Sequence, residues 1–269
     1  MPSHTEISVP QLIRLVGTPQ APVVLDVRTE EEFGRAPLLV PGSVRTGAGS
    51  RQAPSGSSRP VVVVCQDGGA RSQGQAALLR DAGFAAETLD GGFAAWEKAR
   101  APLVVAARIP ERNMEGRTVW VTRSRPKVDR IACPWLIRRF VDPGAVFLFV
   151  SVSEVLGVAE RFNATPFDIE GVFWCHRGAR CTFDTMLDEF GLRTEPLDRL
   201  AAIVRAADTD NLDREPQAAG LLAASLGLSR MYRDDIEQLG AGMLLYDAFF
   251  RWARDAVDET HEWPGPRKS

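Results

Sequence analysis

Four consecutive valines, Val61 to Val64, run into Cys65, a loop containing Gly68 and Gly69, Arg71 and then the helical stretch "SQGQAALLRDAG". An uninterrupted β-branched run between turn signals fits a strand buried on both faces. Such a strand belongs to a parallel sheet covered by helices, so the run fixes the fold class of its half of the chain. The surroundings agree. "APVVLDVR" is a short apolar strand ending at Asp26 and Arg28, and "TEEEF" opens a helix with Thr29 as N-cap and Glu32 at the reciprocal capping-box position. Ser72 is placed to cap the next helix and Gly83 to end it. "FAAETLDGG" is a strand and turn, and "FAAWEKAR" a last helix.

Residues 1–104 are therefore expected to form an α/β domain, a parallel sheet flanked by helices. Residues 105–117 form a polar connector, and 118–269 a mainly helical α+β domain. In the latter, "VWVTRS" and "VFLFV" read as strands around the helix "IACPWLIRRF". "LDRLAAIVRAAD" puts Leu197, Leu200, Ala201, Val204 and Ala207 on one helical face. "GMLLYDAFFRWARDAV" is a long C-terminal helix, and the tail "WPGPRKS" should fray. The length of 269 residues suits two domains, and 45% hydrophobic residues suffice for a sizeable core. A net charge of −3 argues against general binding to nucleic acid or anionic membrane. No apolar run reaches the roughly 20 residues of a membrane span, and the N-terminus lacks the pattern of a signal peptide. Four cysteines in this length do not make a disulfide framework, so the expected location is cytoplasmic with free thiols.

Cys65 has two readings, a core thiol or a nucleophile. Its place at the end of a parallel strand, before a helix, is where open α/β sheets bind ligands. Loop and helix N–H groups converge there and favour an anion or a thiolate. Gly68 and Gly69 let the loop curl, and Arg71 adds a planar cation. "VVLDVRTEEEF", "VPGSV", "VVVVCQDGGARS" and "LDGGFAAW" resemble, in this order, a single rhodanese-like domain. The resemblance implies that Cys65 takes sulfur from a small donor such as thiosulfate, holds it as a persulfide and passes it to a thiol acceptor. Gln66, Asp67, Gly68, Gly69 and Ala70 would form the anion-binding cradle with Arg71. Asp26, Arg28 and Trp96 would be structural. Two departures stand out. Five residues separate Cys65 from Arg71, where the usual sulfurtransferase loop has four. Cys-x5-Arg is the length of rhodanese-fold phosphatases and arsenate reductases, which suits a tetrahedral oxyanion, although Asp67 would repel a dianion. The histidine that often precedes the "IPGA" motif is absent from "LLVPGS".

Between Arg108 and Arg139 stand nine basic residues against three acids. Pro134 suits a first helical position, making Cys133 a plausible N-cap in an anion-attracting setting; Trp135 reads as structural. His4 and His261 lie near the termini, which leaves His176 inside the fold with Cys175, Cys181, Asp168, Asp184 and Glu189 close in sequence. Imidazole with carboxylates suits a transition metal, Zn, Mn or Fe, with His176, Asp168 and Asp184 as candidate ligands. The competing reading is a core histidine bonded to a carbonyl. Ligation by neutral imidazole should weaken below a pH of about 6.5. Asp208, Asp210 and Asp213 follow an apolar helix and either face solvent or enter a cleft. Asp247, in "LLYDAFF", needs a cationic partner if buried.

"WVTRSRPKVDRIACPWLIRRF", "FDIEGVFWCHRGARCTF" and "IVRAADTDNLDREPQAAGLLAASLGLSR" resemble the C-terminal domain of the ChrB chromate-resistance family. The resemblance implies an association with oxyanion stress and a polar site at His176, Cys181, Asp129 and Asp208, with Cys133 and Arg130 beside it. No helix-turn-helix is visible, so a repressor role does not transfer. The leading expectation is thiol-dependent sulfur transfer or oxyanion reduction, with Cys133 or Cys181 as resolving thiol in the reductase. A non-catalytic oxyanion or metal sensor and a Cys-x5-Arg phosphatase are the alternatives.

Overall fold

The computed structural model describes residues 5–49 and 59–259; His4, His261, most of the loop before the valine run and the C-terminal tail lie outside them. Strands β1 (Glu6–Ile7), β2 (Val23–Asp26), β4 (Ser43–Arg45), β5 (Val61–Val64) and β6 (Ala86–Leu89) form a wholly parallel sheet in the order β1-β6-β5-β2-β4. The valine strand is central, and all four valines are buried. Their side chains alternate between two cores. Val61 and Val63 join Leu25, Cys65 and the α3 (Ala70–Asp81) residues Ala76 and Leu79. Val62 and Val64 face Leu12 of α1 (Val9–Leu15) and Phe93 and Trp96 of α4 (Gly92–Lys98).

Helix α2 (Glu30–Arg35) starts as its sequence dictates: Thr29 Oγ1 accepts from Glu32 N, and Thr29 N donates to Glu32 Oε2 at 2.7 Å. Helix α3 starts three residues earlier than expected, with Gly69 rather than Ser72 as N-cap. Ser72 is thus inside the helix, where its hydroxyl donates to Gly69 O. Gly83 does follow the helix end, at φ +88°. Arg28 and Asp26 form a buried pair, and the Arg28 guanidinium also lies 3.7 Å from the Phe93 ring centroid.

The segment after α4 is anchored at its start. Strand β7 (Val104–Val105) pairs antiparallel with β3 (Leu38–Leu39), and beyond it Arg108 pairs with Glu189 and Arg112 with Asp142, each at 3.0 Å. The rest of the connector is largely exposed, as its polarity suggests. Phe140 couples the two halves. Its ring lies so close to Gly17 that a Cβ there would come within 2.3 Å, and its carbonyl accepts from Gly42 N at 2.6 Å. The even-valine core is therefore continuous with the core of the second half.

That half contains a parallel three-stranded sheet, β10-β8-β9, made of β8 (Val119–Arg123), β9 (Val146–Val150) and β10 (Thr165–Pro166). Helix α5 (Asp129–Leu136) corrects one expectation. It begins at Asp129, so Cys133 is an interior residue rather than an N-cap and Pro134 sits within the helix. Proline cannot donate to the carbonyl four residues back, and the next turn, Ile137–Val141, is a π-helix. Helix α6 (Val155–Phe162) covers the sheet, and α7 (Thr182–Phe190), α8 (Glu195–Asp208), α9 (Ala218–Met231) and α10 (Asp235–Asp255) complete the domain. The expected α8 face is buried throughout. No helix among the described residues is long and apolar enough to cross a membrane.

Asp247 finds its partner: Arg139 donates to both its oxygens at 2.8 and 2.7 Å, and Trp135 Nε1 donates to Oδ1 at 2.8 Å. Trp135 is fully buried between Phe140, Phe183, Tyr246 and Phe250. Replacing Asp247 with Ala leaves a largely buried guanidinium and an indole N–H unpaired. The expected loss is about 3 kcal/mol in chemical denaturation, whereas a loss below about 0.5 kcal/mol, the scatter of plain surface changes, would show the pair to be incidental.

Candidate functional site

Three carboxylates converge on one imidazole nitrogen. His176 Nε2 lies 3.2 Å from Asp208 Oδ2, 3.4 Å from Asp168 Oδ1 and 3.5 Å from Asp129 Oδ2. Each carboxylate comes from a different element. Asp129 is the first residue of α5, Asp168 follows β10 in a left-handed conformation at φ +53°, and Asp208 is the last residue of α8. Asp129 is fully buried. It accepts from Thr182 N at 2.6 Å and Phe183 N at 3.2 Å, the free N–H groups at the start of α7. Thr182 Oγ1 donates to Asp168 Oδ1 at 2.8 Å, and Arg130 Nε lies 3.3 Å from Asp168 Oδ2. A cleft of about 500 Å³, lined in part by Arg123, Val152, Cys175 and Asp168, opens on His176.

Burial, reinforced by Asp208 and Asp168, pushes the Asp129 carboxyl up to about 7. Hydrogen bonds to Asp129, Asp168 and Asp208 push His176 up to about 12. At neutral pH the imidazole therefore holds a proton among the carboxylates, and proton competition for this nitrogen is not confined to the region below 6.5. Asp129, His176 and Asp208 can offer one donor atom each, all within 4.8 Å of one another. An imidazole nitrogen with carboxylate oxygens is the donor set of Mn, Fe or Zn rather than of a soft thiolate site.

Of the expected residues, His176, Asp129, Asp168, Asp208 and Arg130 are brought together. Asp184 is not. It bonds Arg205 at 2.8 and 2.9 Å and reaches back to Cys181 N, so it cannot serve as the third ligand beside His176 and Asp168. Cys133 and Cys181 are fully buried, and burial, then Asp129, raises both thiols well above the ordinary range. Neither is fit to resolve an adduct on another thiol. Asp210 and Asp213 face solvent. Sequence reasoning missed Thr182, whereas Arg123, from the basic run, and Cys175, which precedes His176, both line the cleft. For Thr182 a signal was present: "CTFD" carries a carboxylate three residues after Cys181, marking a helix start whose N–H groups need acceptors.

Cys65 follows β5 directly. Its carbonyl accepts from Phe93 N and that of Gln66 from Ala94 N, both at 2.9 Å, so the start of α4 ties down the loop carbonyls. The two Gly-Gly turns interlock: a Cβ on Gly92 would come within 2.4 Å of Gly68 N and 2.5 Å of Cys65 O. The thiol is 2% exposed, with Ser72 Oγ at 3.1 Å and Asp67 Oδ1 at 3.4 Å. Asp67 Oδ1 also accepts from Gly69 N at 2.9 Å, and these two contacts, the Gly69 N–H first, lower its pKa. The loop's own carboxylate thus occupies part of the cradle. Ala70, the last residue before Arg71, is absorbed as the first residue of α3, and Arg71 is exposed with no ion pair among the described residues.

Residues 8–99 match the model of the rhodanese-like domain, and residues 120–253 match that of the ChrB C-terminal domain. The chain is a rhodanese-like domain joined to a ChrB C-terminal domain. Protein ChrB of Cupriavidus metallidurans is 37% identical over 139 residues, 50% of this chain, and this chain spans 41% of that relative. Among solved structures, a rhodanese-related protein from Thermoplasma volcanium is 20% identical at a TM-score of 0.32, covering 38% of this chain and 99% of its own. A protein of unknown function, possible tyrosine phosphatase, from Rhodopseudomonas palustris is 25% identical at a TM-score of 0.30, covering 36% and 83%. The imidazole-carboxylate cluster lies wholly in the ChrB part and Cys65 wholly in the rhodanese-like part.

The cluster makes a pH-dependent prediction for the metal-free protein. Because His176 is raised in the folded state, its stabilising contribution is full below about 6.5 and is lost as pH climbs toward about 12. Asp129, also raised, favours folding in its protonated form, a contribution lost as pH rises from 3.8 through about 7. In imidazole NMR spectra His176 should still be charged at pH 8; a midpoint between 6 and 7 would show that the three carboxylates do not act on it.

Proposed function

We propose that the chain serves oxyanion resistance in the cytoplasm, with a divalent transition metal held by His176, Asp129 and Asp208 in the ChrB domain and a sulfur-carrying thiol at Cys65. The observation that carries the metal reading is the convergence of three carboxylates within 3.5 Å of one imidazole nitrogen. The resemblance to a chromate-resistance family supports the oxyanion setting. Asp168 stands beside the three ligands, steered by Thr182 and Arg130. Arg123, half-exposed at the cleft, adds a positive charge for an incoming anion. A bound divalent ion would supply a Lewis-acid site at the cleft floor. Metal analysis of purified full-length protein should give about one equivalent of Mn, Fe or Zn. His176→Ala and Asp208→Asn should reduce it to background while circular dichroism stays unchanged. Wild type and variants with the same metal content would remove the centre from this site.

The Cys65 loop favours sulfur transfer over phosphatase or oxyanion-reductase chemistry, because Asp67 takes the Gly69 N–H that an oxyanion would need. The same charge disfavours dianionic thiosulfate and suits a low-charge persulfide donor. In that step the Cys65 thiolate attacks the outer sulfur of R–S–S⁻, the donor S–S bond breaks, RS⁻ leaves, and Cys65 retains the sulfur as Cys–S–S⁻. Incubation with a small-molecule persulfide should add one sulfur to the intact mass, and Cys65→Ser should abolish the gain. Asp67→Asn should raise kcat/KM for thiosulfate by about tenfold, the order expected for one fully exposed charge roughly 4 Å away under bulk-water screening. Unchanged thiosulfate turnover in that variant would rule out charge exclusion by Asp67.

A further inference from the structure

The turn 124–128, just before Asp129 in the chain, and the C-terminal end of α9 enclose a second pocket. It is lined by Arg125, Lys127, Leu226, Gly227, Ser229 and Arg230 and has a volume of about 550 Å³. Three cations line it and no carboxylate does. The Arg125 guanidinium is fixed by the carbonyls of Tyr232, at 3.0 Å, and Ser229, and by Ser229 Oγ at 3.1 Å. Neutral acceptors orient it and leave its charge unbalanced. Lys127 and Arg230 form no ion pair among the described residues. The acids of the adjoining turn are engaged with backbone: Asp234 caps α10 through Ile236 N and Glu237 N, and Asp235 accepts from Arg125 N at 3.1 and 3.2 Å.

The turn is also strained. Arg125 has φ +58° and Val128 φ +40°, positions that a side chain, and a β-branched one above all, rarely takes. Gln238 Nε2 donating to Pro126 O and Tyr246 Oη donating to Val128 O, the latter at 2.8 Å, hold it there. Strain maintained by surrounding bonds is characteristic of functional turns. Here it sets Lys127 on the pocket wall two residues before Asp129 joins the carboxylates around His176.

We infer that this pocket binds a phosphomonoester carrying an apolar group. Its cations supply charge-assisted bonds to one phosphate. Its volume falls in the range of organic-ligand sites, roughly 300–1,000 Å³, so a bare tetrahedral ion leaves most of it unfilled. Leu226, 46% exposed, and Gly227, with nothing within 4 Å of where its Cβ would stand, form an open apolar shelf beside the cations. The site depends neither on the metal nor on Cys65.

Phenyl phosphate is the probe, titrated calorimetrically into the full-length protein beside inorganic phosphate and phenol. One-site binding is expected, tighter for phenyl phosphate than for phosphate. Lys127→Ala and Arg230→Ala should each weaken it about tenfold, the equivalent of one charge-assisted bond. Leu226→Ala should narrow the gap between phenyl phosphate and phosphate. Arg230 is exposed, so its variant carries the test if Lys127→Ala lowers the melting temperature. The proposal is overturned by the absence of saturable binding, by equal affinity for phosphate and phenyl phosphate, or by affinity unchanged in Arg230→Ala. It is equally overturned if Arg71→Ala abolishes binding while Arg230→Ala does not, which places the anion in the thiol loop.

Discussion

The C-terminal half depends on one buried carboxylate meeting one helix start. Asp129 presents its oxygens to the N–H groups of Thr182 and Phe183, the first two residues of α7. An unpaired buried carboxylate would be costly, and an uncapped buried helix start would leave donors unsatisfied. Each removes the other's problem, and the contact fixes α5 against α7. The same helix start then positions a second carboxylate, since the Thr182 hydroxyl bonds Asp168. His176 lies where these two acids and the end of α8 meet, so the cluster's geometry follows from how three elements pack.

A comparable economy joins the two domains. The central valine strand divides its side chains between a core private to the rhodanese-like half and one shared with the other half. Phe93 and Trp96 lie in the shared core, on the helix whose N–H groups hold the carbonyls of Cys65 and Gln66. The thiol loop is thus anchored on a helix whose other face packs into the core that reaches Trp135 and Phe140. The two chemical centres belong to different domains, yet one contiguous apolar body supports both.

What was legible in the sequence was mostly local or a matter of charge accounting. The valine run implied the parallel sheet, Thr29 and Glu32 implied a reciprocal cap, and the periodicity after Leu197 gave the buried face of α8. Asp247 called for a cationic partner because a buried carboxylate needs one, and Arg139 answered from 108 residues away. Local rules failed where tertiary contacts outweighed them. Pro134 reads as a helix start, but the helix begins five residues earlier at Asp129, whose carboxylate is held by the start of α7. Ser72 reads as a cap, but Gly69 caps α3 instead and the serine turns toward the thiol. Asp184 reads as a ligand by its nearness to His176 in sequence. It caps α7 and meets Arg205 instead, and the carboxylate that reaches the imidazole is Asp208, which no spacing rule connects to His176.

The acids around His176 also bear on whether the cluster is only a salt bridge. A structural histidine needs one acceptor for its Nε2–H, and one carboxylate suffices to hold it charged. Here three lie within 3.5 Å, one fully buried and another nearly so. Packing carboxylates together destabilises a fold unless positive charge compensates them. The nearby cations compensate unevenly. Arg130 is directed at Asp168, Arg123 stands 3.9 Å from the same residue, and the helix start of α7 contributes only a partial charge to Asp129. Asp208 has His176 as its one ion-pair partner among the described residues. Asp168 is thus met by arginines, while one imidazolium stands between Asp129 and Asp208 at the edge of a cleft open to solvent. The divalent ion proposed for Asp129, His176 and Asp208 would replace the imidazole proton with two charges, a net gain of one beside two carboxylates that otherwise share a single imidazolium.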